Sequence, residues 1–141
     1  MLIRCLYASR ATKLVGESSL DAILKQSRKN NPTHGITGML CLANGIFVQA
    51  IEGGRTEVCR LLGAIYRDER NTGVEILSFE EIAERRFGNW SMGQVNFASV
   101  NNAMLLKYSE KAELNPFTGT GTATLALLLE IADSGAIAHR T

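Results

Sequence analysis

Apolar and polar residues along the chain follow periods that predict two successive strand–helix–strand units. A two-residue period, typical of strands, covers segments 2–9, 38–43, 46–51 and 74–79, and a fifth segment, 86–95, which Gly88 and Gly93 interrupt. Helical spacing of apolar residues covers 19–29 and the segment that follows Thr56. The chain order is therefore βαββαβ with one added strand.

Turn and cap signals separate these elements. Asn44-Gly45 is a strong hairpin signal between the second and third strands. Ser18 followed by Asp21 predicts a capping box for the first helix, and Thr56 is a candidate cap for the second. The turn-rich stretch 30–35 predicts the end of the first helix.

This element order predicts an α+β fold of the ferredoxin-like type, a mixed five-stranded sheet with two helices on one face. Beyond it, the spacing predicts two C-terminal helices, over 101–111 and 122–134. The second has an apolar stripe that would cover the free face of the sheet or contact a partner: Leu125, Leu128, Leu129 and Ala132. We expect a sheet domain at 1–97 and a helical extension at 98–141.

Composition narrows the function classes. With 15 basic and 14 acidic residues, the chain lacks the basic excess of a nucleic-acid or anionic-membrane binder. Its longest apolar stretch, 123–132, is too short for a bilayer, which needs about 20 residues. Three widely spaced cysteines predict buried, reduced thiols. We expect no signal peptide, because the first residues already have a strand-like pattern. We therefore expect a cytoplasmic protein that binds neither nucleic acid nor membrane.

A glutamine stands within the apolar third strand. Gln49 shares one strand face with Phe47 and Ile51, so its carboxamide is expected to be buried. A buried amide without partners costs about 1–3 kcal/mol, and it has two donors and two lone pairs to satisfy. Another side chain or a ligand is therefore expected opposite Gln49.

Other polar and aromatic residues have ordinary structural explanations when taken singly. Tyr7 could be a half-buried strand aromatic, Asn31 a helix C-cap, and Arg70 a cation near helix-terminal carbonyls. Trp90 could be core. The two histidines lie in a turn and a tail, where solvated side chains are expected, and the Gly119–Thr124 stretch lacks the lysine of a phosphate-binding loop.

Together, these residues lie in motifs that resemble the BLUF family of blue-light sensors that use flavin adenine dinucleotide. The motifs keep the family's order and spacing over residues 1 to about 95: Tyr7-Ala-Ser-Arg, Ser27-Arg-Lys-Asn-Asn31, Gly35-Ile-Thr-Gly38, Asn44-Gly-Ile-Phe-Val-Gln-Ala-Ile-Glu-Gly53, Ile65-Tyr-Arg-Asp-Glu-Arg70 and Arg85-Arg-Phe-Gly-Asn-Trp-Ser-Met-Gly93. The tail beyond about Val100 lies outside them.

The resemblance implies a non-enzymatic photoreceptor with FAD held non-covalently between the two helices, although the ring contacts would also accept FMN. It implies a cofactor-binding set of Tyr7, Ile23, Asn30, Asn31, Phe47, Gln49, Asp68 and Arg70. It implies a photoactive set of Tyr7, Gln49, Trp90 and Met92.

In the implied mechanism, light drives proton-coupled electron transfer from Tyr7 to the flavin, and the hydrogen bond of Gln49 rearranges. Our hypothesis for the output is a change in which of Trp90 and Met92 faces inward. This change would reach an effector protein in trans through strand five and the C-terminal helices. The apolar stripe of the last helix would contact that partner or a second copy in a homo-oligomer.

Two other classes remain open from the residues. One is a flavin-free ferredoxin-like module that binds a protein or ligand. The other is an acylphosphatase-like hydrolase, for which Arg10 is present but the glycine-rich phosphate loop is absent. A photoreceptor purifies yellow and responds reversibly to blue light, whereas the other two classes are colourless.

Overall fold

The computed structural model describes residues 1–134 and 137–139, with the side chains of residues 17, 18 and 137–139 left undescribed. The strands are β1 (Leu2–Ala11), β2 (Thr37–Ala43), β3 (Ile46–Gly54), β4 (Asn71–Ile82), β5 (Gly93–Val95) and β6 (Ile137–His139). The helices are α1 (Glu17–His34), α2 (Arg55–Arg67), α3 (Asn102–Tyr108) and α4 (Gly121–Ser134), with a 3₁₀ turn at Phe97–Ser99.

The strands form one mixed sheet in the order β4-β1-β3-β2-β5-β6. Neighbouring strands are antiparallel except β2 and β5, which are parallel. The predicted ferredoxin-like α+β fold is confirmed. Beyond the five predicted strands, the sheet has a sixth, β6, whose three residues lay in the unassigned tail.

The β2–β3 hairpin fixes the register of the central strands. Asn44 and Gly45 both have positive φ, 51° and 74°, which the predicted two-residue turn requires. The hairpin pairs Leu40 with Gln49, and the β1–β3 ladder pairs Tyr7 with Gln49. Two residues distant in sequence, Tyr7 and Gln49, thus become direct cross-strand neighbours.

Helix α1 is longer at both ends than predicted. It begins after Gly16, whose N–H donates to Ser19 Oγ at 3.2 Å, so the predicted cap at Ser18 with Asp21 is wrong. It continues through Pro32 to His34, so it ends within the predicted stretch 30–35 but five residues beyond the predicted last helical residue, Lys29. Proline removes one N–H donor, but Gly35 at φ 66° closes the helix with the Asn31 and Pro32 carbonyls as acceptors.

Two further boundaries differ from the predictions. Helix α2 begins two residues earlier than predicted, with Gly54 rather than Thr56 at its N-cap. The fifth strand is only Gly93–Val95, because the N–H groups of Arg86 and Phe87 donate to the Glu52 carboxylate instead of to a strand. The Trp90–Met92 segment therefore precedes the strand.

Both faces of the sheet are covered. On one face, α2 overlies β1 and β3, where Ile3, Cys5, Tyr7 and Ile51 are buried with Val58 and Leu62. Helix α1 lies beside it, with Leu24 packed on Leu40 of β2 and Phe47 of β3. On the other face, α3 and α4 share one hydrophobic cluster with the sheet. Leu128 of α4 is fully buried there, with Leu125 and Leu129 packed against it. The predicted partner-binding stripe is therefore largely part of the protein's own core.

Two of the three cysteines are buried, whereas all three were predicted to be. Cys5 and Cys41 are buried, and burial raises the pKa of each thiol to about 12. Cys59 on α2 is exposed, so the expectation of a third buried thiol is wrong. None of the helices in the described residues is long and apolar enough to cross a membrane.

Candidate functional site

A cavity of about 490 Å³ lies between α1 and α2 over the central strands. One face of α1, from Ile23 to His34, lines it, together with the facing side of α2 and the start of β4. The lining residues are Tyr7, Ile23, Gln26, Ser27, Asn30, Asn31, His34, Leu40, Phe47, Gln49, Arg60, Leu61, Ala64, Ile65, Arg67, Asp68, Arg70 and Asn71. Its volume is within the range of small-molecule sites, about 300–1,000 Å³.

All eight residues expected to bind a cofactor line this cavity. They come from β1, α1, β3 and the turn after α2, and the fold brings them together. Their role as ligand contacts remains a prediction.

Tyr7 and Gln49 form the buried centre of the cavity floor. The Tyr7 phenol donates a hydrogen bond to Gln49 Oε1, and the two residues are 4% and 6% exposed. Burial, followed by the nearby Cys5 and Asp68, raises the pKa of the phenol above its ordinary value. The phenol therefore stays protonated and donates the hydrogen bond, and the Gln49 side-chain oxygen accepts it.

The other end of the Gln49 amide contacts Met92. Gln49 Nε2 lies 3.2 Å from Met92 Sδ, and Met92 is fully buried. A thioether is a weak acceptor, so this contact uses little of the donor capacity of the amide. The Gln49 side chain thus joins a strong donor on one side to a weak acceptor on the other.

Two side chains of helix α1 bind the backbone of the Ser91–Met92 segment. Asn31, 5% exposed, donates to the Ser91 carbonyl at 2.7 Å. The Arg28 guanidinium donates to the Met92 carbonyl from Nε at 3.2 Å and from Nη2 at 3.1 Å. Two α1 side chains therefore fix the main chain just before β5.

Asp68 and Arg70 form an ion pair at the far end of the cavity. Arg70 Nε donates to Asp68 Oδ1 at 2.9 Å, as does the Arg70 backbone N–H. The hydrogen bond from Arg70 holds the pKa of the Asp68 carboxyl below its usual value, and the pKa of Arg70 is raised in turn. Both groups are charged at neutral pH, and Arg67, which also lines the cavity, adds a positive charge near this pair.

Trp90 and Met92 are placed differently from each other. Met92 points into the protein beside Gln49, whereas Trp90 packs partly buried with Phe87, ring centroids 6.1 Å apart, against the cluster of the α3–α4 face. Neither residue is among those lining the cavity. Their predicted photoactive role would therefore act through Gln49.

Sequence reasoning missed several residues of the cavity wall. Gln26, Ser27 and His34 lie on the α1 face that also carries Ile23 and Asn30, at three- and four-residue spacing. That spacing could have identified them. His34, expected to be solvated, pairs with Glu57 of α2 at 3.1 Å.

Comparison with known protein families shows the class of protein to which the chain belongs. Residues 2–93 match the model of the BLUF family, described as "Sensors of blue-light using FAD". The chain therefore belongs to the BLUF family of blue-light sensors that use flavin, and the match covers β1 to β4 and the first two helices. The resemblance found in the sequence motifs is confirmed.

Curated relatives and solved structures agree with this assignment. The chain is 33% identical over 87 residues to the photoactivated adenylate cyclase subunit beta of Euglena gracilis, covering 61% of this chain and 10% of that protein. It thus spans about a tenth of the length of such relatives.

Among solved structures, the BlsA photo-activated state has a TM-score of 0.84 at 29% identity, covering 100% of this chain and 99% of that one. The dark-state structure of BlrB, a BLUF protein, has a TM-score of 0.76 at 27% identity, covering 95% and 96%.

The cavity suits the flavin that the family uses. Its walls combine apolar side chains such as Ile23 and Phe47 with amides that can both donate and accept hydrogen bonds. Asn71 Oδ1 is buried in this wall and has no hydrogen-bond partner among the described residues. A flat heterocycle with ring N–H and hydroxyl donors matches this set.

Proposed function

We propose that this chain holds a flavin nucleotide non-covalently in the α1–α2 cavity and senses blue light through Tyr7 and Gln49. One observation carries the proposal: a buried phenol donates to a buried carboxamide on the cavity floor. An amide in this position can exchange donor and acceptor ends at little cost to its surroundings, because Met92 on its other side is only a weak acceptor.

The binding residues divide by chemistry. Asn31 and Gln49 supply amide hydrogen bonds, Ile23 and Phe47 supply apolar walls, and the Asp68–Arg70 pair supplies charged donors and acceptors at one edge, with Asn30 beside it. FAD is the proposed cofactor because the family uses it. FMN remains an alternative, since a solved relative, BlrP1 of Klebsiella pneumoniae, is described with FMN.

When bound, the flavin supplies absorption of blue light and an excited state that accepts electrons. Tyr7 would give up an electron to the excited flavin and pass its proton along the hydrogen bond to Gln49 Oε1. Both the electron and the proton would return to Tyr7 when this charge-separated pair recombines, and Gln49 would be left rotated or tautomerised, with changed hydrogen bonds to Tyr7 and to the cavity. In the dark, Gln49 would relax to its starting arrangement, and no substrate is consumed.

The output would run from Gln49 to Met92. Because Met92 Sδ contacts Gln49 Nε2, rotation of the amide would change this polar contact of the Met92 side chain. The segment continues through Trp90 to the cluster under α3 and α4. We propose that an effector protein in trans reads this change, with the chain in a homo-oligomer. In support, relatives carry the name of photoactivated cyclases, and this chain spans only a tenth of their length.

The Tyr7→Phe variant tests the photochemical proposal. The ring remains and the transferable proton is lost, so the variant should bind flavin but show no reversible shift under blue light. Tyr66→Phe is the matched control, because Tyr66 lies 56% exposed on α2. Chromatography of the flavin released from the wild type identifies FAD or FMN. A full photocycle in Tyr7→Phe, or a colourless wild type that takes up no added flavin, contradicts the proposal.

The Met92→Ala variant tests the output step. It should keep the flavin spectrum and its shift but lose the light-dependent change in the fluorescence of Trp90, the single tryptophan of the chain. Met104→Ala, on α3, serves as the control. An unchanged Trp90 response in Met92→Ala would refute the relay through Met92.

A further inference from the structure

Arg28 makes an unusual contact for a helix-surface cation. It lies in the middle of α1, is partly buried, and directs its guanidinium at a backbone carbonyl rather than at a carboxylate. Both Nε and Nη2 donate to the Met92 oxygen, at 3.2 and 3.1 Å. Arg28 is not among the residues lining the cavity, so this contact is separate from the flavin-binding set.

The segment that Arg28 holds is also bound at Trp90 and Ser91, whose carbonyls accept from Gly38 N at 3.1 Å and from Asn31 Nδ2 at 2.7 Å. It precedes β5, a three-residue strand whose ladder with β2 consists of two residue pairs, Met39 with Gly93 and Leu40 with Gln94. A ladder this short fixes the approach of the chain weakly. At Met92 itself, the side chain packs with Leu24, Leu40 and Phe47, and the carbonyl accepts the two bonds from Arg28.

We propose that Arg28 is a positioning residue that holds Met92 against Gln49 and so sets the stability of the Met92-inward arrangement. The sulfur can leave Gln49 by a backbone movement only if both Arg28 bonds break. Hydrogen bonds from a charged donor are stronger than neutral ones, and the guanidinium fork grips one oxygen with two donors. The effect of Arg28 on light responses rests on the proposed sensor mechanism, whereas its role in holding Met92 in the dark does not.

Methionine-methyl NMR tests the inference without any photochemistry. The chain has four methionines, so a sample labelled at the methionine methyl carbons gives a simple spectrum, and Met92→Leu assigns the Met92 signal. In Arg28→Ala, in the dark, we expect the Met92 methyl signal to move or to split into two. Arg28→Lys keeps the charge and can supply one donor, so it should give an intermediate displacement.

The matched control is Lys29→Ala, the neighbouring exposed cation of the same helix, which should leave the Met92 signal in place. If Arg28→Ala is too unstable to study, Arg28→Lys and Arg28→Gln decide the matter by the same signal. A Met92 signal that stays at the wild-type position in every folded Arg28 variant overturns the inference.

The light-dependent part of the test measures the rate at which the absorption spectrum recovers in the dark after illumination. Loss of Arg28 weakens the arrangement to which the protein returns, so recovery of Arg28→Ala should slow at least threefold, with flavin affinity within twofold of wild type. A threefold-slower rate in Lys29→Ala as well, or an unchanged rate in Arg28→Ala, contradicts the inference. If the wild type itself shows no photocycle, the sensor mechanism fails, and the methyl signal alone decides the role of Arg28.

Discussion

At the scale of single residues, the account depends on a pair of buried polar side chains that satisfy each other. Tyr7 and Gln49 are separated by 42 positions in the sequence, and the β1–β3 register alone makes them neighbours. Each would be a costly buried group without the other. Their coupling can therefore be measured as stability, independently of light.

A double-mutant cycle in the cofactor-free protein measures this coupling. Gln49→Leu removes the acceptor and leaves the Tyr7 hydroxyl buried without a partner, which should cost about 1–3 kcal/mol of unfolding free energy. Adding Tyr7→Phe removes that stranded hydroxyl, so the double variant should lose less than the sum of the two single losses. Urea unfolding of the four proteins gives the coupling. Strictly additive losses would show that the hydrogen bond contributes nothing.

The sequence predicted the residues of the cavity well, but it did not predict the contacts of the segment around Met92. Gln49 was identified because a polar residue interrupts an apolar strand, and the eight motif residues do line one cavity. The Arg28 contact could not be predicted, because it ends on a backbone carbonyl and depends on the path of the chain around Met92. No residue pattern encodes the position of a carbonyl in an irregular segment.

At the scale of elements, the irregular segment between β4 and β5 departs most from the sequence pattern. Its apolar residues suggested a strand over 86–95, but a buried carboxylate bends it away. Glu52, fully buried, accepts from Arg86 N at 3.0 Å and from Phe87 N at 2.7 Å, and it pairs with Arg4 at 2.9 Å. Long-range electrostatics thus overrides local strand propensity. Helix α1 also departs from the pattern, since it continues through Pro32 and ends at His34, with Gly35 as a left-handed cap.

The Glu52→Gln variant tests the importance of this anchor. The substitution breaks a buried ion pair and leaves Arg4 without its main counter-charge, which should cost about 3–5 kcal/mol. Glu81→Gln is the control, because it breaks an exposed pair with Arg55 and should cost about 0–1 kcal/mol. Chemical denaturation of both variants provides the comparison. Equal losses for the two would mean that Glu52 does not anchor the segment.

At the scale of the whole molecule, the sensor face and the α3–α4 face are two sides of one sheet. The predicted division into 1–97 and 98–141 remains a prediction, but both parts contribute to a single hydrophobic cluster. The sequence suggested two alternatives for the α4 stripe, a cover for the sheet or a partner surface. Helix periodicity could not choose between them, since both use the same apolar stripe.

The Leu128→Ala variant tests whether α4 belongs to the core. Leu128 is fully buried, so its truncation should cost about 2–5 kcal/mol, while the cavity on the other face should keep its flavin affinity. Leu106→Ala on α3, where the side chain is 54% exposed, should change stability by less than about 0.5 kcal/mol. Thermal unfolding with a flavin titration measures both properties. A loss below about 1 kcal/mol for Leu128→Ala would indicate that α4 packs loosely.

The central claim is that the Gln49 amide converts absorbed light into a changed hydrogen bond. The most direct measurement is the light-minus-dark absorption spectrum of the purified flavin-loaded chain, recorded for the wild type and for Gln49→Leu. The account predicts a small red shift of the flavin band in the wild type that decays in darkness, and no such shift in Gln49→Leu with flavin still bound. A reversible shift of full size in Gln49→Leu would contradict it.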